Sequence, residues 1–101
     1  MNKTIKVIIP AYNEENAIVK VIQDIPSIVD EIIVVDNNSS DQTAKNAREA
    51  GAKVLTELKR GYGYACLAGI RALSKDPPQV VLFIDADGSD DLSDLDDLLA
   101  L

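Results

Sequence analysis

The sequence predicts an α/β fold, in which an open, mainly parallel sheet of about four strands carries helices on both faces. Two observations predict it. Short runs of apolar, β-branched residues recur along the chain without alternating with polar ones, which is typical of strands buried on both faces. Helical patterns separate these runs in strict alternation, which favours right-handed βαβ units and a doubly wound sheet. With 101 residues, 47% of them hydrophobic, the chain has the size and composition of one globular domain.

Four strands are predicted, at 5–9, 32–35, 53–57 and 80–84. The first, second and fourth are continuous apolar runs, so we expect them to be buried on both faces. The third is shorter and more polar, which predicts a position at an edge of the sheet.

Two helices are predicted between the first three strands. In the first, apolar residues recur at helical spacing, Asn13 is the expected N-cap and Pro26 the stop. The second opens with a capping-box pattern at 39–42, and Gly51 is expected to close it.

Two further helical patterns follow the third and fourth strands. One has its apolar face at Cys66, at Gly69 or Ile70, and at Leu73, and it ends before a pair of prolines. The other follows the polar segment 89–91 with leucines at helical spacing, and it runs into the end of the sequence.

Charge and composition exclude several classes of protein. The net charge of −7 disfavours binding to nucleic acid, which is a polyanion. Residues 1–84 are electrically balanced, and the whole acidic excess lies in 85–97. The sequence contains no histidine, which excludes imidazole catalysis, and its single cysteine, Cys66, excludes an internal disulfide. No apolar run is long enough to span a membrane, and we expect a cytoplasmic protein.

Polar residues follow every predicted strand, and ligands of open α/β sheets bind at the carboxyl ends of the strands. Asp85 and Asp87 come at the end of the fourth strand, where their oxygens suit a hard cation such as Mg²⁺ or Mn²⁺. The alternative is that acids here only complement a helix dipole, which is the preferred interpretation for Asp90, Asp91 and Asp94.

The other strand ends are ambiguous when each is considered alone. Asp36 and Asn37 can hydrogen-bond a nucleobase or a ribose, but they also suit an ordinary turn. Tyr12 can stack on a base or simply pack against the protein. Arg60 and Gly61 precede a helix, where positive charge and an accessible backbone favour an anion.

Taken together, these segments resemble glycosyltransferase family 2, whose GT-A-fold members use nucleotide-sugar donors. The resemblance extends from Ile5 to Leu99 and rests on four motifs in order: VIIPAYNEE at 7–15, IVVDNNS at 33–39, RGYG at 60–63 and FIDAD at 83–87. Within the family, the chain looks most similar to the branch of polyprenyl-phosphate glycosyltransferases, which includes dolichyl-phosphate mannose synthase.

The resemblance implies a binding site for a UDP- or GDP-sugar. It places Asp85 and Asp87 in the DxD motif, where they would bind the ribose and a metal-bound diphosphate, with Mg²⁺ or Mn²⁺ as cofactor. Many members carry a second aspartate where this chain has Asn37, which leaves the choice of base open. The implied donor-binding residues are Pro10, Tyr12, Glu14, Asp36, Asn37, Arg60, Gly61 and Asp85.

The resemblance also implies a longer enzyme. We interpret 1–101 as the donor-binding half of a glycosyltransferase, and we expect the general base and the acceptor site beyond Leu101. The acceptor would be a polyprenyl phosphate, in which case the full-length enzyme would contact the cytoplasmic face of a membrane. The chain by itself is expected to transfer no sugar and to be capable of self-association.

Two other functions are compatible with a short acidic α/β chain. A receiver-type signalling module also binds Mg²⁺ through aspartates, but it has an acidic pair after the first strand, where this chain has Pro10 to Asn13. A sugar-phosphate nucleotidyltransferase would have a basic, glycine-rich loop at the same place.

Overall fold

The structure, a computed structural model, describes residues 4–93 and 95. Strands and helices alternate along the chain, as the sequence predicts. The elements are β1 (Ile5–Ala11), α1 (Ile18–Asp24), β2 (Glu31–Asp36), α2 (Thr43–Glu49), β3 (Lys53–Thr56), α3 (Tyr62–Leu73) and β4 (Val80–Phe83).

The four strands form one parallel sheet in the order β3-β2-β1-β4. The predicted fold class is therefore confirmed, and so is the edge position of β3. The chain builds the sheet outward from β1 to β3 and then crosses back to place β4 on the other side of β1. The point where the order reverses lies between β1 and β4, which is where ligands of such sheets bind.

Pro10 separates β1 from β4 at this point. The N–H of Ile84 donates to the carbonyl of Ile8, so residue 8 and, two residues on, Pro10 face the β4 side. Proline has no N–H to donate, and the pairing with β4 ends at Ile8. On the other side, β1 continues beside β2 as far as Ala11. The carboxyl end of the sheet thus opens between β1 and β4.

Each face of the sheet has its own hydrophobic core. Helices α1 and α2 cover one face, and α3 covers the other, where it packs on β1 and β2. The first core is built on Val7, Ile9, Ile18, Ile22, Val34 and Ala47, and the second on Ile8, Ile33, Val35, Ala65 and Leu73. Helices on both faces are the predicted arrangement.

The prediction that 80–84 is buried on both faces is wrong. Val81 and Phe83 are 38% and 43% exposed. They pair with Lys6 and Ile8 and so face the α3 side, but α3 packs mainly over β1 and β2. One face of β4 is left open as a result.

Two predicted helix caps are also wrong. Asn13 does not begin α1, because its backbone is left-handed (φ 52°) and the helix starts at Ile18. The capping box at 39–42 does not form, because the Ser39 hydroxyl accepts a hydrogen bond from the Asn13 N–H instead. At the start of α2, the carboxylate of Asp41 instead accepts the N–H of Thr43 at 2.9 Å.

Two other helix predictions lie closer to the structure. Gly51, at φ 100°, ends the α2 segment as expected. Helix α3 starts at Tyr62, four residues earlier than Cys66. Of the two alternatives for its apolar face, Gly69 is buried and Ile70 is exposed. The predicted fourth helix lies mostly outside the described residues. Within the part of the chain that the structure describes, no helix is long and apolar enough to cross a membrane.

Candidate functional site

A small pocket lies at the carboxyl ends of β1 and β2, beside the start of α3. Its volume is about 130 Å³, and we call it the β1–β2 pocket. It brings together three of the predicted donor-binding residues: Pro10 and Tyr12 at the end of β1, and Asn37 after β2. The complete lining is Pro10, Ala11, Tyr12, Asn37, Tyr62 and Ala65.

Arg60 lies directly against Tyr12. Its guanidinium carbon is 3.5 Å from the centroid of the Tyr12 ring, a cation–π contact. The Lys59 ammonium lies over the ring of Tyr64 at 4.4 Å in the same way. Both positive charges are held on aromatic faces, and that of Arg60 lies beside the β1–β2 pocket, where it suits an anionic ligand.

The side chain of Asn37 connects the pocket to the loop that carries Arg60. Its amide nitrogen donates to the carbonyls of Glu57 and Lys59, both at 2.9 Å. Its amide oxygen accepts the N–H of Gly61, also at 2.9 Å. Gly61 has a φ of 141°, which favours glycine, and a Cβ there would lie 3.1 Å from the Tyr64 ring.

Asp36 is buried at the end of β2, with 6% of its surface exposed. One carboxylate oxygen accepts the N–H of Ser39 at 3.4 Å, a long hydrogen bond that leaves acceptor capacity free. Asp36 directly precedes Asn37 but does not itself line the β1–β2 pocket.

A network of hydrogen bonds joins the β1–α1 loop to the β2–α2 loop. The N–H of Glu14 donates to the buried Thr43 hydroxyl at 2.8 Å, and the N–H of Glu15 donates to the Asp41 carboxylate at 3.2 Å. Asn13 completes the network by accepting the N–H of Ser40 at 2.9 Å. The loop that carries Tyr12 and Glu14 is therefore fixed relative to the end of β2.

The Asp41 carboxylate accepts three hydrogen bonds in this network. Burial by itself would raise the pKa of its carboxyl, but hydrogen bonds from the Thr43 hydroxyl, the Thr43 N–H and the Glu15 N–H outweigh it. The pKa of Asp41 is consequently below its ordinary value.

The two aspartates of the predicted metal site lie together at the end of β4. Ser89 contacts both: its hydroxyl donates to Asp85 at 3.3 Å, and its N–H donates to Asp87 at 2.9 Å. Gly88 makes the intervening turn with a φ of 80°. Hydrogen bonding by Ser89 lowers the pKa of the exposed Asp87 carboxyl.

Asp85 and Asp87 border a second cavity of about 340 Å³, the β4 pocket, between α1 and the segment after β4. Lys20, Asp24 and Asp90 also line it. The N–H of Asp85 donates to the Asp90 carboxylate at 2.7 Å, so Asp90 holds the backbone of the motif rather than only facing solvent.

Tyr62, at the start of α3, has a raised pKa. It lines the β1–β2 pocket, and partial burial of its phenol, the adjacent Cys66 thiol, and the carboxylates of Asp85 and Asp90 together raise its pKa. The last pair of β1 and β4 is Ile8 with Phe83, so Pro10 of this pocket and Asp85, each two residues further along, lie at the same end of the sheet and on neighbouring strands. One elongated ligand could therefore contact both.

The donors at the end of β4 fit a hard divalent cation. Among residues 4–93 and 95, no group of three or more acidic or cysteine side chains is arranged to hold a metal. Two carboxylates with free oxygens suffice for Mg²⁺ or Mn²⁺ when a ligand supplies phosphate oxygens and water completes the shell. Asp85 and Asp87 meet that requirement, because Ser89 occupies only one oxygen of each.

Sequence reasoning missed several residues of this site. Tyr62 is not among the predicted donor-binding residues, although the motif RGYG at 60–63 places it at the start of α3. Around Thr43 and Asp41 the sequence shows only a helix-start pattern, which does not predict their hydrogen bonds to Glu14 and Glu15. Those hydrogen bonds form only because the β1–α1 and β2–α2 loops lie side by side.

Comparisons with known proteins agree with this geometry. The family model described as Glycosyl transferase family 2 matches residues 6–101. An uncharacterized glycosyltransferase of Mycobacterium tuberculosis is 43% identical over 96 residues, which cover 95% of this chain and 42% of the relative.

Two solved structures extend the comparison to the fold. Mannosyl-3-phosphoglycerate synthase from Rubrobacter xylanophilus superposes with a TM-score of 0.76 at 32% identity, covering 92% of this chain and 34% of the other. Glucosyl-3-phosphoglycerate synthase from Mycobacterium tuberculosis, in complex with Mn²⁺, UDP-glucose and phosphoglyceric acid, gives 0.71 at 35% identity, covering 83% and 33%.

The fold is the Rossmann-like GT-A fold of these solved structures. The chain belongs to glycosyltransferase family 2. It spans 42% of the length of the mycobacterial relative it matches. This membership favours neither a receiver module nor a nucleotidyltransferase.

Proposed function

We propose that this chain binds the nucleotide part of a UDP-sugar and a divalent cation, as the donor site of a glycosyltransferase. The observation that carries the proposal is that the β1–β2 pocket and the Asp85–Asp87 motif lie at the carboxyl ends of the neighbouring strands β1 and β4. UDP is preferred over GDP because the solved structure described above contains UDP-glucose with Mn²⁺.

Each predicted residue has a definite part in this proposal. Tyr12 and Pro10 supply the surface on which the base stacks, and Asp36 accepts a hydrogen bond from the nucleoside. Arg60 places positive charge near the phosphates, with the exposed backbone of Gly61 beside it. The carboxylate of Glu14 would contact the nucleoside from the loop that Thr43 holds.

Asp85 and Asp87 would hold Mg²⁺ or Mn²⁺. The cation, when bound, acts as a Lewis acid that stabilises the charge left on the nucleoside diphosphate after glycosyl transfer. The chain's own contribution is to hold both aspartates on one side of the β4 end, through hydrogen bonds with Ser89 and Asp90.

The acceptor is a second part of the proposal. The resemblance stated above implies a polyprenyl phosphate, and the solved relative is bound to phosphoglyceric acid. Both carry a phosphate, so we propose a phosphate-bearing acceptor for the enzyme to which this donor site belongs. A transfer assay with each acceptor class would distinguish the two.

The donor site is tested by thermal unfolding of the intact chain with UDP, GDP or UDP-glucose, with and without Mn²⁺. A ligand at ten times its Kd stabilises the folded state by about 1.4 kcal/mol, which raises Tm by several degrees in a domain of this size. We expect the Mn²⁺-dependent part of the UDP effect to be lost in Asp87→Asn.

Asp91→Asn is a matched control. Asp91 accepts the N–H of Ser93 at 3.0 Å, just as Asp87 accepts that of Ser89, but it does not line the β4 pocket. The control should retain the full Mn²⁺-dependent shift. Equal loss in both variants, or no response of the wild-type chain to any nucleotide, would overturn the proposed donor site.

A further inference from the structure

We propose that Asn37 is a positioning residue, which holds the loop 57–61 so that Arg60 stays on the face of Tyr12. The inference rests on the proposed function, since its consequence is a pre-formed nucleotide site. It assigns Asn37 to the loop, and the amide is not required to contact the base.

Every hydrogen bond that the Asn37 side chain makes in the structure goes to the loop. The residue is 5% exposed, and its amide nitrogen has two hydrogens for two carbonyls, those of Glu57 and Lys59. Its oxygen accepts the N–H of Gly61. Arg60 lies between two residues that Asn37 fixes, Lys59 and Gly61.

The other half of the Arg60–Tyr12 contact is also fixed. Tyr12 directly precedes Asn13, whose N–H donates to the Ser39 hydroxyl at 2.9 Å and whose side chain accepts the N–H of Ser40. Both partners of the cation–π contact are thus anchored to the segment that follows β2. A contact formed before the ligand arrives lowers the ordering cost of binding.

An aspartate at position 37 could not hold the loop in the same way. An ionised carboxylate has no hydrogen to donate, and its oxygens would face the carbonyl oxygens of Glu57 and Lys59 in a buried place. The amide is therefore the side chain that this loop conformation requires. We expect Asn37→Asp to release Arg60 from Tyr12 while the rest of the sheet stays folded.

Asn38→Asp is the matched control, since it adds the same charge one residue further along. Asn38 is exposed and its φ of 63° is one that aspartate tolerates. Side-chain NMR reports the contact directly, because the Tyr12 ring shifts the resonances of the Arg60 side chain upfield. Titration with UDP and Mn²⁺ then reports affinity.

We expect Asn37→Asp to abolish the upfield shift of Arg60 and to weaken UDP binding roughly three- to tenfold. Asn38→Asp should do neither. Arg60→Gln should weaken binding by a similar factor in the wild-type background and have no further effect in Asn37→Asp, because the two changes remove the same contact. A merely structural role of Asn37 would instead make the two effects additive.

The inference is overturned if the Arg60 shift survives in Asn37→Asp, if Asn38→Asp weakens binding equally, or if the effects of Asn37→Asp and Arg60→Gln add. Should Asn37→Asp fail to fold, the uncharged Asn37→Ser is tested by the same criteria. If the wild-type chain binds no nucleotide, the proposed function fails, and the Arg60 shift in the Asn37 variants still decides whether Asn37 positions Arg60.

Discussion

Single polar side chains in this protein join neighbouring loops through hydrogen bonds. Thr43 is fully buried and links the start of α2 to the backbone of Glu14, and Asp41 does the same for Glu15. Asn37 joins β2 to the loop after β3. Each of these residues satisfies backbone groups that would otherwise be left without partners near the carboxyl end of the sheet.

The pKa of Asp41 leads to a prediction about stability. Because the folded-state pKa is below the ordinary value of 3.8, the ionised carboxylate stabilises the folded chain at neutral pH. That contribution is fully present above the unfolded pKa and is lost as the pH falls through the lower, folded pKa. Asp41→Asn, which cannot ionise, lacks it at every pH.

We expect the wild-type chain to be more stable than Asp41→Asn near pH 7, and the difference to shrink below about pH 4. Urea unfolding of both chains at several pH values between 7 and 3 measures it. A difference that stays constant over this range would mean that the charge of Asp41 contributes nothing.

Among the helices, α3 approaches the sheet most closely at Gly69. A Cβ placed on Gly69 would lie 2.7 Å from a methyl carbon of Ile8, closer than real contacts allow. This close approach lets α3 cross over β1 and carry the chain from β3 to β4. The glycine is thus required by packing, although glycine is otherwise unfavourable inside a helix.

Two glycines of the same helix give opposite predictions. Gly69→Ala should destabilise the chain by about 1–3 kcal/mol, because overpacking against Ile8 exceeds the gain in helix propensity. Gly63→Ala, whose Cβ would meet nothing within 4 Å, should stabilise it by up to about 1 kcal/mol. Chemical denaturation compares the two, and a stabilised Gly69→Ala would refute the packing argument.

In the molecule as a whole, the helices cover the sheet unevenly. Its interior strands β1 and β2 are enclosed, while β4 exposes Val81 and Phe83 on the α3 side. In the described part of the chain, β4 pairs with β1 alone, which leaves its other edge without a neighbour. Exposed apolar side chains along an open strand edge favour association between copies.

We therefore predict that the chain self-associates through β4 and that Phe83→Lys weakens this association. Leu58→Lys is the matched control, because it adds the same charge at an apolar residue that is 69% exposed but lies outside the sheet. Sedimentation velocity over a range of concentrations measures the effect. Equal behaviour of the two variants would exclude β4 as the contact.

The fold was largely predictable from sequence, because it depends on local periodicity. The apolar runs that became β1 and β2, and the glycine at 51 that ends α2, follow from backbone chemistry acting over a few residues. The caps at Asn13 and Ser39 were not predictable. Their side chains pair with each other's loops, 26 residues apart, and not with the adjacent helices.

The candidate site, like the fold, was predictable from sequence only in part. Tyr12, Asp36, Arg60 and the two aspartates at 85 and 87 were predicted because polar residues after buried strands are unusual, and because the motifs resemble those of a family. Their positions relative to one another depend on the order of the strands, β3-β2-β1-β4, and sequence spacing does not determine that order.

By itself, the sequence determined the class of fold, the elements and the chemical types of residue at each strand end, because these depend on short-range patterns of apolar and polar side chains. Tertiary structure alone decided that Arg60 lies on Tyr12, that Asn37 serves the loop after β3, and that β4 has an open face. These features depend on contacts between segments far apart in the chain, and only the packed sheet brings such segments together.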